Sequence, residues 1–150
     1  MTAGINRQPP ARIRQTLTDS CWAATLESWS RADSRISTVS EADMIAAYGE
    51  GETGGITPTT KIPQIATRFG LWADGFNGAS LRQYLLDHLP HSYVFCAYKR
   101  DRWAHAVLIY RLSGQYLTHV SYMDPDGGYH RWHTLEWFAE RGPMVLMRKK

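Results

Sequence analysis

The residue best equipped for chemistry in this 150-residue chain is a cysteine at the junction of a polar turn and an apolar helix. Gln15-Thr16-Leu17-Thr18-Asp19-Ser20 runs straight into Cys21-Trp22-Ala23-Ala24. A side chain on the first turn of a helix faces N–H groups that have no intrahelical acceptor, and the positive end of the helix dipole. Both favour negative charge on sulfur, the condition for a reactive cysteine. Gln15, six residues upstream, offers a neutral amide of the kind that lines an oxyanion hole beside the nucleophile's own N–H. Losing one such donor costs on the order of a hundredfold or more in turnover.

A helix-borne thiol needs a base, and six histidines compete for that role. Trp103-Ala104-His105-Ala106-Val107-Leu108-Ile109-Tyr110 sets His105 at the start of a buried strand, a rigid support from which an imidazole reaches a helix in the other layer. His88 and His91 flank Pro90 at a helix end, and His119 alternates with Val120 in a hairpin. His130 and His133 bracket Arg131-Trp132, but two ligands without matching Cys or carboxylates are a poor zinc site. The imidazole in turn needs an acceptor that fixes its tautomer. Asp124 stands at the end of the strand following that of His105, and antiparallel pairing brings such positions together. Its competing role is to open the Asp124-Pro125-Asp126-Gly127-Gly128 turn, for which Asp126 is the better candidate.

Gln15, Cys21, His105 and Asp124 occur in the order used by the papain-like cysteine peptidases, and from about Arg14 onward the chain resembles that superfamily. Asp19-Ser20-Cys21-Trp22 keeps the small residue and the tryptophan of the papain signature and lacks its first cysteine and glycine. Asp in third place, where papain has Asn, resembles two compact bacterial branches. These are the bacteriocin-processing peptidase domains of ABC transporters and the papain-like effectors that bacteria inject into hosts or rivals. Cys-Trp in place of the transporter domains' Cys-Gly is closer to the effectors. The resemblance implies a cysteine endopeptidase that cuts a protein substrate through a thioester, with Cys21 as nucleophile, His105 as base, Asp124 as orienter and Gln15 as oxyanion donor, and no cofactor. For an effector or toxin it further implies a cognate immunity or inhibitor protein and delivery from the producer's cytoplasm into a target cell. Two other readings keep the residues: a deamidase or transglutaminase-like toxin, and a catalytically silent binding module.

The remaining composition is compatible with this. A net charge of +3 with no basic run among aromatics argues against a nucleic-acid groove. Two cysteines suit a reducing compartment, no apolar run reaches the length of a membrane span, and the N-terminus lacks the apolar core of a Sec signal. Residues 1–14 read as an extended lead-in or linker, and 15–150 as the peptidase domain. Helices are expected from Cys21 to about Arg31 with Asp19 or Ser20 as N-cap, from Ser40 to Tyr48, over 60–69 with Pro63 in the first turn, and over 81–89 behind Ser80. Residues 49–57, with four glycines, read as a mobile surface loop. Strands follow over 92–98, 104–112, 115–123, 129–133 and 143–148, with a short helix at 135–140. Helices before an antiparallel sheet make an α+β fold in two layers, the nucleophile helix packed on the sheet. Cys96 reads as an inert core thiol, Trp22 and Trp29 as core, and Trp103 as a wall of the groove or plain packing.

Overall fold

Apolar side chains at helical spacing bury the first helix on nearly every side. α1 (Cys21–Ala32) carries Trp22, Leu26 and the fully enclosed Trp29, with Ala23 and Ala24 where neighbours approach most closely. The structure, a computed structural model, describes residues 5–77, 80–100 and 103–150. α2 (Glu41–Tyr48) starts at Ser40, whose hydroxyl accepts the Asp43 N–H as the sequence predicts. α3 (Pro58–Phe69) ends at Gly70, whose left-handed φ of 66° closes the last turn. It begins earlier than expected, with Pro58 in the first turn, so Pro63 lies inside the helix and leaves the Thr59 carbonyl without its helical donor.

Among the described residues, seven strands form one antiparallel sheet: β1 (Ile5–Asn6), β2 (Leu71–Asn77), β3 (Val94–Arg100), β4 (Trp103–Ser113), β5 (His119–Asp124), β6 (Tyr129–Thr134) and β7 (Pro143–Lys149). The spatial order is β2-β7-β3-β4-β5-β6, with β1 paired to the far end of β4 through Ile5↔Leu112. α4 (Leu81–His88) and α5 (Leu135–Ala139) complete the chain. The fold is α+β, with the N-terminal helical layer on the sheet as the sequence implies. Two details differ. β2 interrupts the helical half, and the sheet is covered on both faces.

The second cover follows from strand alternation. Phe95, Ala106 and Leu108 face α1 and α3, whereas Val94, Cys96, Val107 and Ile109 face α4 and α5. The near-continuous apolar run of β4 belongs to a strand buried on both sides. A register shift between Ile109 and Arg111 then turns Tyr110 to the first face and Leu112 to the second.

The described part of the lead-in lies along this body. Ser28 donates to the Ala11 carbonyl at 2.6 Å, Tyr93 to that of Gln8 at 2.6 Å, and Gln15 N–H to that of Pro125 at 2.9 Å. Among the described residues no helix is long and apolar enough to cross a membrane.

Candidate active site

Two bonds one helical turn apart seat α1 on β4. The β4–β5 ladder stops at Leu108↔Met123, so the backbone of Ala106 has no strand partner on that side. Cys21 Sγ accepts the Ala106 N–H at 3.4 Å, and Thr25 Oγ1, four residues on, donates to the Ala106 carbonyl at 3.2 Å. The helix thereby satisfies two buried backbone groups and fixes its first residue against the strand that carries His105.

His105 and Asp124 stand on the same face of the sheet, on neighbouring strands. His105 Nε2 lies 2.6 Å from Asp124 Oδ1. Cys21 Sγ, held on the N–H of the next residue, Ala106, is the other group that favours the charged form of this ring. All three residues are buried, at 6% exposure for Cys21, 2% for His105 and 5% for Asp124. Burial alone disfavours the imidazolium, but the Asp124 bond and then Cys21 outweigh it, so that His105 titrates at about 8. Burial likewise pushes Asp124 up, and it is overcome by the His105 bond and charge, the Asp126 N–H and Arg131, which together hold the carboxyl below its usual range.

Gln15 is placed differently from a free oxyanion donor. Its Nε2 gives its protons to the carbonyls of Leu17 at 3.0 Å and Thr18 at 2.9 Å, bracing the turn before Cys21. Its Oε1 is buried and finds no hydrogen-bond partner among the described residues. Ser20 is the N-cap residue of α1 by position, but it makes no capping bond. Its hydroxyl lies 2.7 Å from the buried Glu41 carboxylate and accepts the Leu17 N–H. Glu41 also accepts the Thr16 N–H at 2.9 Å. Sequence reasoning missed this role, because Glu41 looks like an ordinary first-turn acid of α2 and its partners lie 21 and 25 residues away.

The glycine-rich segment 49–57 is tied down, not loose. Trp22 Nε1 donates to the Gly54 carbonyl at 2.7 Å, Asp19 N–H to that of Thr53 at 2.9 Å, and Glu50 bridges to Gly55. Gly54 has φ of 72°, and a Cβ there would lie 2.8 Å from the Leu17 side chain. Only glycine meets both demands. This segment, Trp22, Ile62, Phe95, Ala97 and Val145 enclose an apolar cavity of about 870 Å³ with Cys21 on its wall and Asp19 and Glu50 among its lining.

The other sequence candidates separate from this site. His130 and His133 point to opposite faces of β6, the first bonded to the Pro10 carbonyl at 2.7 Å, the second stacked at 3.9 Å on Trp137. Among the described residues no three His, Cys, Asp or Glu side chains cluster as metal ligands do. Cys96 is fully buried, and burial pushes its thiol up. Ser80 precedes α4 without a capping bond. The side chain of Trp103 lies outside the described residues. Asp126 does occupy the turn, where Arg100 meets its carboxylate at 3.0 Å.

No family model matches the sequence, and no curated protein matches it. Solved structures do. The peptidase domain of Streptococcus ComA, described as a bi-functional ABC transporter involved in a quorum-sensing pathway, superposes with a TM-score of 0.67 at 19% identity, over 93% of this chain and 98% of that one. The peptidase domain of Streptococcus mutans ComA, solved with a small-molecule inhibitor, gives 0.56 at 17% identity, over 90% and 96%. The likeness shows the fold, that of the papain-like peptidase domains, and both structures come from the transporter branch.

Proposed function

We propose that this chain is a cysteine peptidase in which Cys21, His105 and Asp124 form a catalytic triad. The observation that carries the reading is the buried line of thiol, imidazole and carboxylate, with its sulfur on the wall of a cavity large enough for substrate side chains. In the acylation step Cys21 Sγ bonds to a peptide carbonyl carbon while its proton resides on His105. The Cys21 N–H, free of an intrahelical acceptor, takes the developing oxyanion. Gln15 adds a second donor by sharing an amide proton now given to Leu17 or Thr18. His105 protonates the departing amine, and a water deprotonated by the same ring then releases the acyl group from sulfur. The apolar lining of the cavity favours an apolar side chain near the scissile bond. The effector or toxin role, with an immunity or inhibitor protein, is supported by the Cys21-Trp22 pair.

The pH dependence follows from His105. Its pKa is raised from 6.5 to about 8, so the protonated form needed by the leaving amine is present at neutral pH. Turnover should fall as pH rises through about 8. The contribution of His105 to folding has the same sign: it is complete below 6.5 and lost as pH rises through about 8. A pH–rate profile alongside thermal melts checks both, and an alkaline limb near 6.5 would contradict the assignment of His105.

Proteome-wide N-terminal profiling after expression of the wild type and of Cys21→Ala tests the activity itself. New N-termini present only with the wild type are expected. Intact targets that gain one mass unit per modified glutamine would identify a deamidase instead.

A further inference from the structure

Asp124 is held from two sides, and the second has no place in the reaction as described. Oδ1 accepts from His105 at 2.6 Å and from the Asp126 N–H at 3.0 Å. Oδ2 meets Arg131 Nε at 3.1 Å. Arg131 sits on β6 opposite Tyr122, two residues before Asp124 on β5, so strand register brings it to the carboxylate. Asp124 is nearly enclosed, at 8% side-chain exposure, whereas Arg131 is 45% exposed and lies over the Tyr129 ring.

We infer that Arg131 is a positioning residue that divides the charge of Asp124 with His105 and so lowers the pH at which His105 gives up its proton. An undivided carboxylate beside a buried imidazole holds that proton too tightly for a ring that must release it in each cycle. A second cation on the far oxygen weakens that hold and fixes the rotation of the carboxylate. Other groups around the His105–Asp124 pair leave this role to Arg131. From α1 comes Cys21, and from β3 and β5 come Tyr98 and Tyr122, both pushed up by burial and thus uncharged. α5 adds Trp137 and Phe138 behind Tyr98, with Arg141 turned onto the Trp137 ring. The Asp126 carboxylate is paired with Arg100. As a statement about catalysis this rests on the triad reading, but the measurement does not.

The test is an NMR titration of the His105 ring, assigned by the resonance missing from His105→Gln. Because Arg131 is half exposed, its field is screened, and Arg131→Gln should raise the His105 pKa by about half to one pH unit. Arg131→Lys should restore the wild-type value, and the upward shift should persist when Cys21 is replaced by alanine. His133, held down first by burial and then by Arg141 and Arg131, should stay below its ordinary value in the same spectra, which reports that the variant is folded. An unchanged His105, or a downward shift of the kind a loosened Asp124 bond gives, overturns the inference. A shift as expected with no peptide cleaved by the wild type would leave it standing and remove only the peptidase reading.

Discussion

Replacement of Cys21 by alanine should abolish peptide cleavage, with an expected loss of roughly 10⁴–10⁶-fold in kcat. The size follows from what alanine leaves behind. The cavity and the Cys21 N–H still bind and polarise a substrate, but no atom remains to form the thioester. His105→Ala should cost nearly as much, and the double variant little more than either alone, because the groups act as one unit. Single-turnover measurements on a peptide found by N-terminal profiling separate this from altered binding. A Cys21→Ala chain that cleaves within tenfold of the wild type would show that the acyl-transfer centre lies elsewhere.

The candidate site was legible where it depends on local sequence. Cys21 at a helix start and His105 at a strand start are punctuated by the residues beside them, and the structure brings both to one point together with Asp124. What local pattern could not show was long-range polar wiring. Glu41 and Arg131 reach the site from α2 and β6 as charged residues of ordinary spacing, and only the packed fold joins them to Ser20 and Asp124. The glycines of 49–57 carry the same lesson. Their number suggests looseness, while a close approach to Leu17 and a bond from Trp22 make part of the segment a wall of the cavity.

The fold shows a similar division. β2 holds Asp74 and Gly75, both poor strand residues, and lies at the sheet edge with Trp72 half exposed, so alternation is weak there. Its pairing from Leu71↔Lys149 to Asn77↔Pro143 is imposed by the last strand of the chain. The cover of α4 and α5 was written into β3 and β4, whose apolar residues are consecutive and not alternating.

Asp124→Ala should give the second large loss, roughly 10³–10⁴-fold in kcat, smaller than that of Cys21→Ala because nucleophile and base both remain. His105 would then lose the acceptor that fixes its tautomer and orientation, and its pKa would fall because burial is no longer opposed by the carboxylate. Asp124→Asn separates orientation from charge. An amide oxygen at the Oδ1 position still accepts from His105 and the Asp126 N–H, which keeps the ring oriented. The amide nitrogen then faces Arg131, whose exposed guanidinium is free to turn to water. Asp124→Asn should therefore lose less than Asp124→Ala, with an alkaline limb displaced below that of the wild type. Equal losses for the two variants would mean that the negative charge, not the hydrogen-bond geometry, is what His105 requires of residue 124.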